Sequence, residues 1–269
     1  SEFLPDGPDS FQIQQPRLRL LLRNRDPLCI AKTATPGNII PTQPYIPGRT
    51  LLGALAAWLI AEGSEPSKQA AELLVNGTVS VSDALPLKGT DLLDKLGPVE
   101  ILPAPLSLQS KKPEGQVGNV PWWEREKSPT IYLDKHQQDL EEDRQRKGPD
   151  KPDKDKQQET LKRPEPDLFV QRIGNGSWET HRPDIRIRLR NGRPNPDDKD
   201  PSLFAIEQIA EDTRFLTELR GPKEEMQKLC AALVPVLTKK RWLRIGRGGV
   251  PVQVEKAAPL TDEKPPASN

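Results

Sequence analysis

The chain has 269 residues, 34% of them hydrophobic and 29% charged, with 30 prolines and a formal net charge of +1. That much charge and proline excludes a chain packed tightly along its whole length, and predicts segments of poor order. The near-neutral total conceals strong local segregation, so it points to no class of partner by itself.

Only two cysteines occur, Cys29 and Cys230, far apart in sequence. They give neither a disulfide framework nor metal-ligand spacing, which predicts a reducing, cytoplasmic setting. No apolar run approaches the roughly 18 residues that cross a bilayer, and no signal-peptide pattern opens the chain, so no membrane partner is expected. Ser1-Glu2-Phe3 reads as a cloning remnant, and residues 1–10 as a flexible tail.

The first element is a strand from Gln15 to Arg23. Leu18, Leu20 and Leu22 share one face, and Arg17, Arg19 and Arg23 share the other. Such alternation predicts a half-buried strand whose second face is wet or meets something anionic. Asn24-Arg25-Asp26-Pro27 is a turn signal, and 31–44 reads as loop. Pro47-Gly48 then opens a helix that runs to about Ala61, with Thr50 as N-cap. Leu51, Leu52, Leu55, Trp58 and Leu59 form its apolar face, and Gly63 is placed to end it. The free N–H groups at this helix start, beside Gly48, Arg49 and Thr50, could hold a phosphate; the plainer reading is a helix cap and nothing more.

A second helix is predicted over Ser67–Val75 and a strand over Thr78–Ser82. From 99 to 167 the chain is rich in proline and charge, with Trp122 and Trp123 an apolar patch beside Pro121. That segment reads as a partly irregular insertion. Order returns near Leu168. Ile185, Ile187 and Leu189 alternate with Arg186, Arg188 and Arg190, giving a strand with one basic face. Strands follow over Leu203–Ile209 and Arg214–Leu219. Pro222 begins a helix carrying Met226, Leu229, Cys230, Leu233 and Leu237 as its apolar stripe, and Pro235 is expected to kink or end it. Trp242–Ile245 is a last strand. It enters Gly246-Arg247-Gly248-Gly249 and then Val250–Val254, ahead of a disordered tail over 257–269.

The order strand, helix, strand, insertion, strands, helix, strand matches an α+β, ferredoxin-like (RRM-like) βαββαβ plan. Its halves are 11–98 and 168–256, within one domain spanning 11–256. With helices on one side, the sheet's other face is left for RNA.

Catalytic parts are few. His136 lies in the charged insertion. His181, beside Arg182, could act as general acid or base in RNA cleavage, but no arranged second group accompanies it. No phosphate-loop lysine, nucleophile elbow, dinucleotide fingerprint or metal-ligand cluster is present, so no cofactor and no metal are expected. Three basic sets stand out: Arg17, Arg19 and Arg23; Arg182, Arg186, Arg188 and Arg190; and Lys239, Lys240, Arg241, Arg244 and Arg247. Each alone is also what a solvated face looks like. The last set ends in Gly246, Gly248 and Gly249, where bare backbone can approach a phosphate.

Four segments together resemble the RAMP superfamily of CRISPR-associated proteins. They are Tyr45–Leu55, Leu102–Leu108, Ser202–Glu207 through Thr213–Phe215, and Leu243–Gly249. The resemblance implies a ferredoxin-like fold assembled on guide RNA (crRNA) in a type III effector complex, beside other RAMP subunits and the large subunit, with target RNA met indirectly. The proline-rich second segment resembles the subtype D subunit that caps the 5′ end of the guide. Family members that cut target RNA carry an aspartate in the loop before the Ile-Pro-Gly turn. Here 33–44 holds no Asp or Glu, and Asp26 lies earlier. The last segment continues with Val250 and Pro251 where relatives often have serines and a further glycine.

The leading expectation is therefore a non-catalytic subunit that holds the 5′ tag of the guide. A RAMP endoribonuclease working through His181 or Asp26, and a scaffold that touches only protein through Trp122 and Trp123, are the alternatives from other classes.

Overall fold

The computed structural model describes residues 17–32, 38–88, 101–104, 108–111, 131–134, 161–162, 168–173, 177–191, 203–238 and 242–259. Trp122, Trp123, His136, Lys239, Lys240, Arg241, both termini and most of the charged run lie outside them. The chain divides into two compact units: Ser1–Gly97 with Pro183–Asn269, and Pro98–Arg182. The inserted unit thus continues past 167, where the insertion was expected to end.

The main unit is mixed α+β. It contains β1 (Arg17–Asn24), β2 (Ile39–Ile40), α1 (Gly48–Glu62), α2 (Glu65–Val75), β3 (Ser80–Val81) and β4 (Leu85–Leu87). The inserted unit supplies β5 (Ile101–Pro103), β6 (Leu108–Lys111), β7 (Ile131–Asp134), β8 (Leu161–Lys162), β9 (Phe169–Ile173) and β10 (Ser177–His181). The main unit resumes with β11 (Ile185–Asn191), β12 (Leu203–Ile209), β13 (Arg214–Arg220), α3 (Lys223–Thr238), β14 (Trp242–Ile245) and β15 (Val250–Pro259).

The main sheet runs β14-β15-β1-β13-β3, with β4 also on β13, and its pairings are antiparallel. β1 is flanked on both sides. Its alternation puts Leu18, Leu20 and Leu22 into the core with Phe215 and Leu219 of β13 and Leu243, Ile245 and Val252 of the β14–β15 hairpin. The three helices among the described residues cover that face. α1 contributes Leu51, Leu55 and Leu59, α2 Ala70, Ala71 and Leu74, and α3 Met226, Leu229, Cys230 and Leu233. Each fully buried large side chain stabilises by about 1.5–3 kcal/mol, which is why the period-3.6 pattern of α1 and α3 predicts their packing. Burial also pushes the Cys230 thiol up to about 12.

Several local expectations change. Thr50 is not the N-cap of α1: Pro47 is, with no side-chain cap, and the Thr50 N–H donates to the Pro47 carbonyl. Gly63 does end α1, in the left-handed conformation at φ 81°. α2 begins earlier than predicted, because the Ser64 hydroxyl accepts from Ser67 N and Pro66 fits the first turn. α3 continues through Pro235 to Thr238; in its final turn a proline removes only one of the last hydrogen bonds. β15 runs to Pro259, past the point where the tail was expected to begin, because β1 pairs with it from Val252 to Pro259.

A second, three-stranded sheet in the main unit has the order β11-β12-β2, with β12 and β2 parallel. Cys29, Ile40 and Ile206 form a small core against one of its faces, with Phe204 packed on it. The inserted unit holds a six-stranded sheet in the order β5-β9-β10-β7-β6-β8, so four short pieces of the segment read as irregular, β5 to β8, are strand. Phe169, Val170 and Gln171 of β9 are buried there.

Leu20 sits at the centre of the main core with 1% exposure. Leu20→Ala should destabilise the protein by about 2–5 kcal/mol in urea denaturation, from reduced transfer energy plus an unfilled cavity.

Candidate nucleic-acid interface

The register of the main sheet decides which charges share the face away from the helices. Across β1 and β13, Arg17 stands opposite Arg220, Arg19 opposite Glu218, Leu21 opposite Leu216, and Arg23 opposite Arg214. β15 adds Ala258, Lys256 and Gln253, and β14 adds Trp242 and Arg244, to the same face. Cations outnumber carboxylates on it, and the carboxylates are bridged. Arg19 Nη2 lies 2.8 Å from Glu218, which also takes Arg220 at 2.8 Å. Arg23 reaches Asp212 at 2.8 Å and Glu255 at 3.2 Å, and Glu255 also accepts from Arg214 at 2.8 Å.

This face is not left free, as the order of elements suggested. Leu21 and Leu216 are buried, and Arg19, expected on a wet face, is only 7% exposed. Its charge is met by Glu218 inside the protein. Exposed groups concentrate toward the rims: Arg220 at one end, and Trp242 and Arg244 on the outer strand β14. The sequence reading missed Arg25, Arg214, Arg220 and Trp242 as members of the face. The alternation of Arg214, Leu216, Glu218 and Arg220 was visible, but their alignment with β1 was not.

The turn between β14 and β15 is made of Gly246, Arg247, Gly248 and Gly249. All three glycines have φ between 64° and 83°, in the left-handed region that other residues avoid. They serve different ends. A Cβ on Gly246 would come within 2.5 Å of the Cys29 carbonyl oxygen, so this glycine lets two chain segments touch. Arg247 N–H donates to that same carbonyl at 2.8 Å. A Cβ on Gly248 would meet nothing within 4 Å, and Gly248 is exposed. Gly249 closes the turn by donating its N–H to the Gly246 carbonyl, and its own carbonyl accepts from Arg244 at 3.2 Å. Gly248 is thus the corner where backbone is open to a ligand.

The start of α1 already has its anion. Asp83 Oδ1 accepts the Gly48 N–H at 2.7 Å, and Gly48 is buried with its Cα against the Val81 carbonyl, where a Cβ would collide. Arg49 is exposed and Thr50 half-buried. Gly48 lies beside β3 and the Gly246–Gly249 turn follows β14, at opposite edges of the main sheet.

Arg186, Arg188 and Arg190 line one face of β11, all exposed, and Arg186 holds Glu211 through both carboxylate oxygens at 2.6 and 2.7 Å. The other face of β11 is not buried: Ile187 and Leu189 are 66% and 64% exposed. Arg188 and Arg190 pair with Ile206 and Phe204, which flank Cys29, and Cys29 in turn touches Gly246. The basic strand and the glycine turn are therefore joined through one small core. His181 and Arg182 belong to the inserted unit, where His181 lies half-buried at the end of β10 with its ring 6.1 Å from Phe169. Asp26 is exposed beyond the end of β1. Among the described residues, no group of three or more His, Cys, Asp or Glu is placed to hold a metal, and no helix is long and apolar enough to cross a membrane.

No family model and no curated protein matches the chain. Among solved structures it is similar to a type III-B Cmr-beta in its apo state, at 12% identity and TM-score 0.44, covering 91% of this chain and 98% of that one. It is also similar to a type III-B Cmr-beta bound to cognate target RNA, at 10% identity and TM-score 0.42, over 88% and 95% of the two chains. A crystal structure of Cmr4 follows at 14% identity and TM-score 0.38, over 91% and 100%.

Gly246→Ala should cost clearly more stability than Gly248→Ala. Both incur the left-handed backbone penalty of about 1–2 kcal/mol, and only the first collides with Cys29; thermal unfolding of the two variants side by side checks this. The Glu218 carboxyl is pushed up by burial but pulled below its ordinary value by Arg19 and Arg220, and the pull prevails. Its contribution is complete above the unfolded value of about 4.3 and is lost as pH falls through the lower folded value. Glu218→Gln should therefore flatten the acid side of the stability–pH curve while lowering stability at neutral pH.

Proposed function

We propose that this chain is a non-catalytic RNA-binding subunit of a type III CRISPR effector complex, which holds the 5′ tag of the guide and sits beside other RAMP subunits and the large subunit. The observation that carries the reading is the outer strand β14 and its turn. Arg244 and Arg247 are exposed there beside Gly248, a glycine with open space around its Cα. Guanidinium groups suit phosphate oxygens, and a bare backbone N–H can be approached closely. The motifs that resemble RAMP proteins supply the class of nucleic acid. The exposed arginines of β11, joined to the turn through the Cys29 core, extend the cationic track.

The topology supports the ferredoxin-like reading of the main unit. Helices follow β1 and β13, and the strands lie in the order β15-β1-β13-β4. Two features narrow the site. Gly48 and Thr50 leave it, because Asp83 occupies the start of α1. Arg19 leaves it, because its charge is buried on Glu218.

Arg244→Glu with Arg247→Glu should weaken binding of tagged guide RNA by the purified chain. The log–log salt slope should shrink by about 1.4, roughly 0.7 for each phosphate no longer neutralised. Equal affinity and slope in the variant and the parent would reject the assignment. Cleavage of labelled RNA that disappears in His181→Ala or Asp26→Ala would replace it with a nuclease.

A further inference from the structure

Trp242 is the large aromatic side chain on the exposed edge of the cationic face. It occupies the outer strand β14, stands opposite Gln253, and is 42% exposed, although its neighbours Leu243 and Ile245 are wholly buried. Strand alternation accounts for this: the core takes Leu243 and Ile245, and the pleat turns Trp242 and Arg244 outward together. Arg25 sits over the indole, its guanidinium carbon 5.8 Å from the ring centroid, and also reaches Asp212 at 3.5 Å. This contact does not bury the residue. Two residues along the strand, about 7 Å away, comes Arg244, and beyond it the open corner at Gly248. An aromatic surface and an exposed guanidinium are thus set apart on the scale of one nucleotide.

We propose that Trp242 is a stacking platform for one unpaired base of the bound RNA, with Arg25 fixing the indole and Arg244 taking the adjoining phosphate. The proposal rests on the RNA-binding reading and deepens it, by directing one interaction to a base rather than to the backbone. Stacking is tolerant of base identity, since every base has a flat π face. The platform therefore selects single-stranded over paired RNA and leaves sequence preference to other groups. A duplex cannot use it, because its bases already stack on each other.

The test uses the full chain and an oligoribonucleotide series in which each member carries one abasic position. Trp242→Ala should weaken binding of intact RNA about 5- to 150-fold, as expected for removal of one stacked base. The salt slope should stay unchanged, since every phosphate is still held. One abasic position should cost the parent protein a similar factor, and at that position Trp242→Ala should add nothing. Trp242→Phe should restore most of the affinity, which separates stacking from a general disturbance of β14. Trp242→Ala binding like the parent while Arg244→Glu with Arg247→Glu binds poorly would overturn the platform and leave the RNA-binding reading intact. An abasic series in which no position matters to the parent would also overturn it. Undiminished affinity in both sets of variants would overturn both readings.

Discussion

Leu18, Leu20 and Leu22 are wholly or almost wholly buried on a strand that is hydrogen-bonded on both edges, and the rest of the main unit is arranged by that burial. A strand alternates, so packing these leucines beneath three helices turns Arg17, Arg19 and Arg23 to the opposite side. The pairing register then settles the electrostatics: Arg19 meets Glu218 and Arg23 meets Glu255 because β13 and β15 are aligned as they are. A slip of one residue would bury guanidinium groups and expose leucines, a reversal that no local interaction could offset. The cationic face is therefore a product of the core, with its positions fixed by the register that the core imposes.

What could be read from the sequence is what depends on neighbours along the chain. The leucine alternation of β1, the apolar stripes of α1 and α3, the left-handed stop at Gly63 and the strands β11 to β13 all follow from local periodicity and punctuation. What escaped depends on partners far away. The start of α1 has every local sign of an anion site, and only the fold reveals that Asp83 already fills it. Arg19 belongs to a strand face that reads as wet, yet it is buried on Glu218, 199 residues later. The strands β5 to β8 are two to four residues long and lie within proline- and charge-rich sequence, so they read as irregular although they pair in one sheet.

The glycines separate structural from functional meaning more sharply than the charges do. Gly48 and Gly246 stand where backbone meets backbone, and a methyl group at either would strike a carbonyl oxygen. Gly248 has the same kind of conformation as Gly246 and nothing around it. From composition the three are equivalent. In space, two of them let backbone pack against backbone, and the third is exposed with open space around its Cα. The candidate interface is thereby smaller than the motif suggested, and it lies along one edge of the sheet.

β11 is an edge strand in its sheet among the described residues, with Ile187 and Leu189 outward on one side and Arg186, Arg188 and Arg190 on the other. Uncovered edges of this kind invite a second copy to dock by main-chain hydrogen bonds. An antiparallel match that set aliphatic against aliphatic would also set guanidinium against guanidinium, with like charges directly opposed. Opposed guanidinium groups disfavour that pairing, with or without nucleic acid bound.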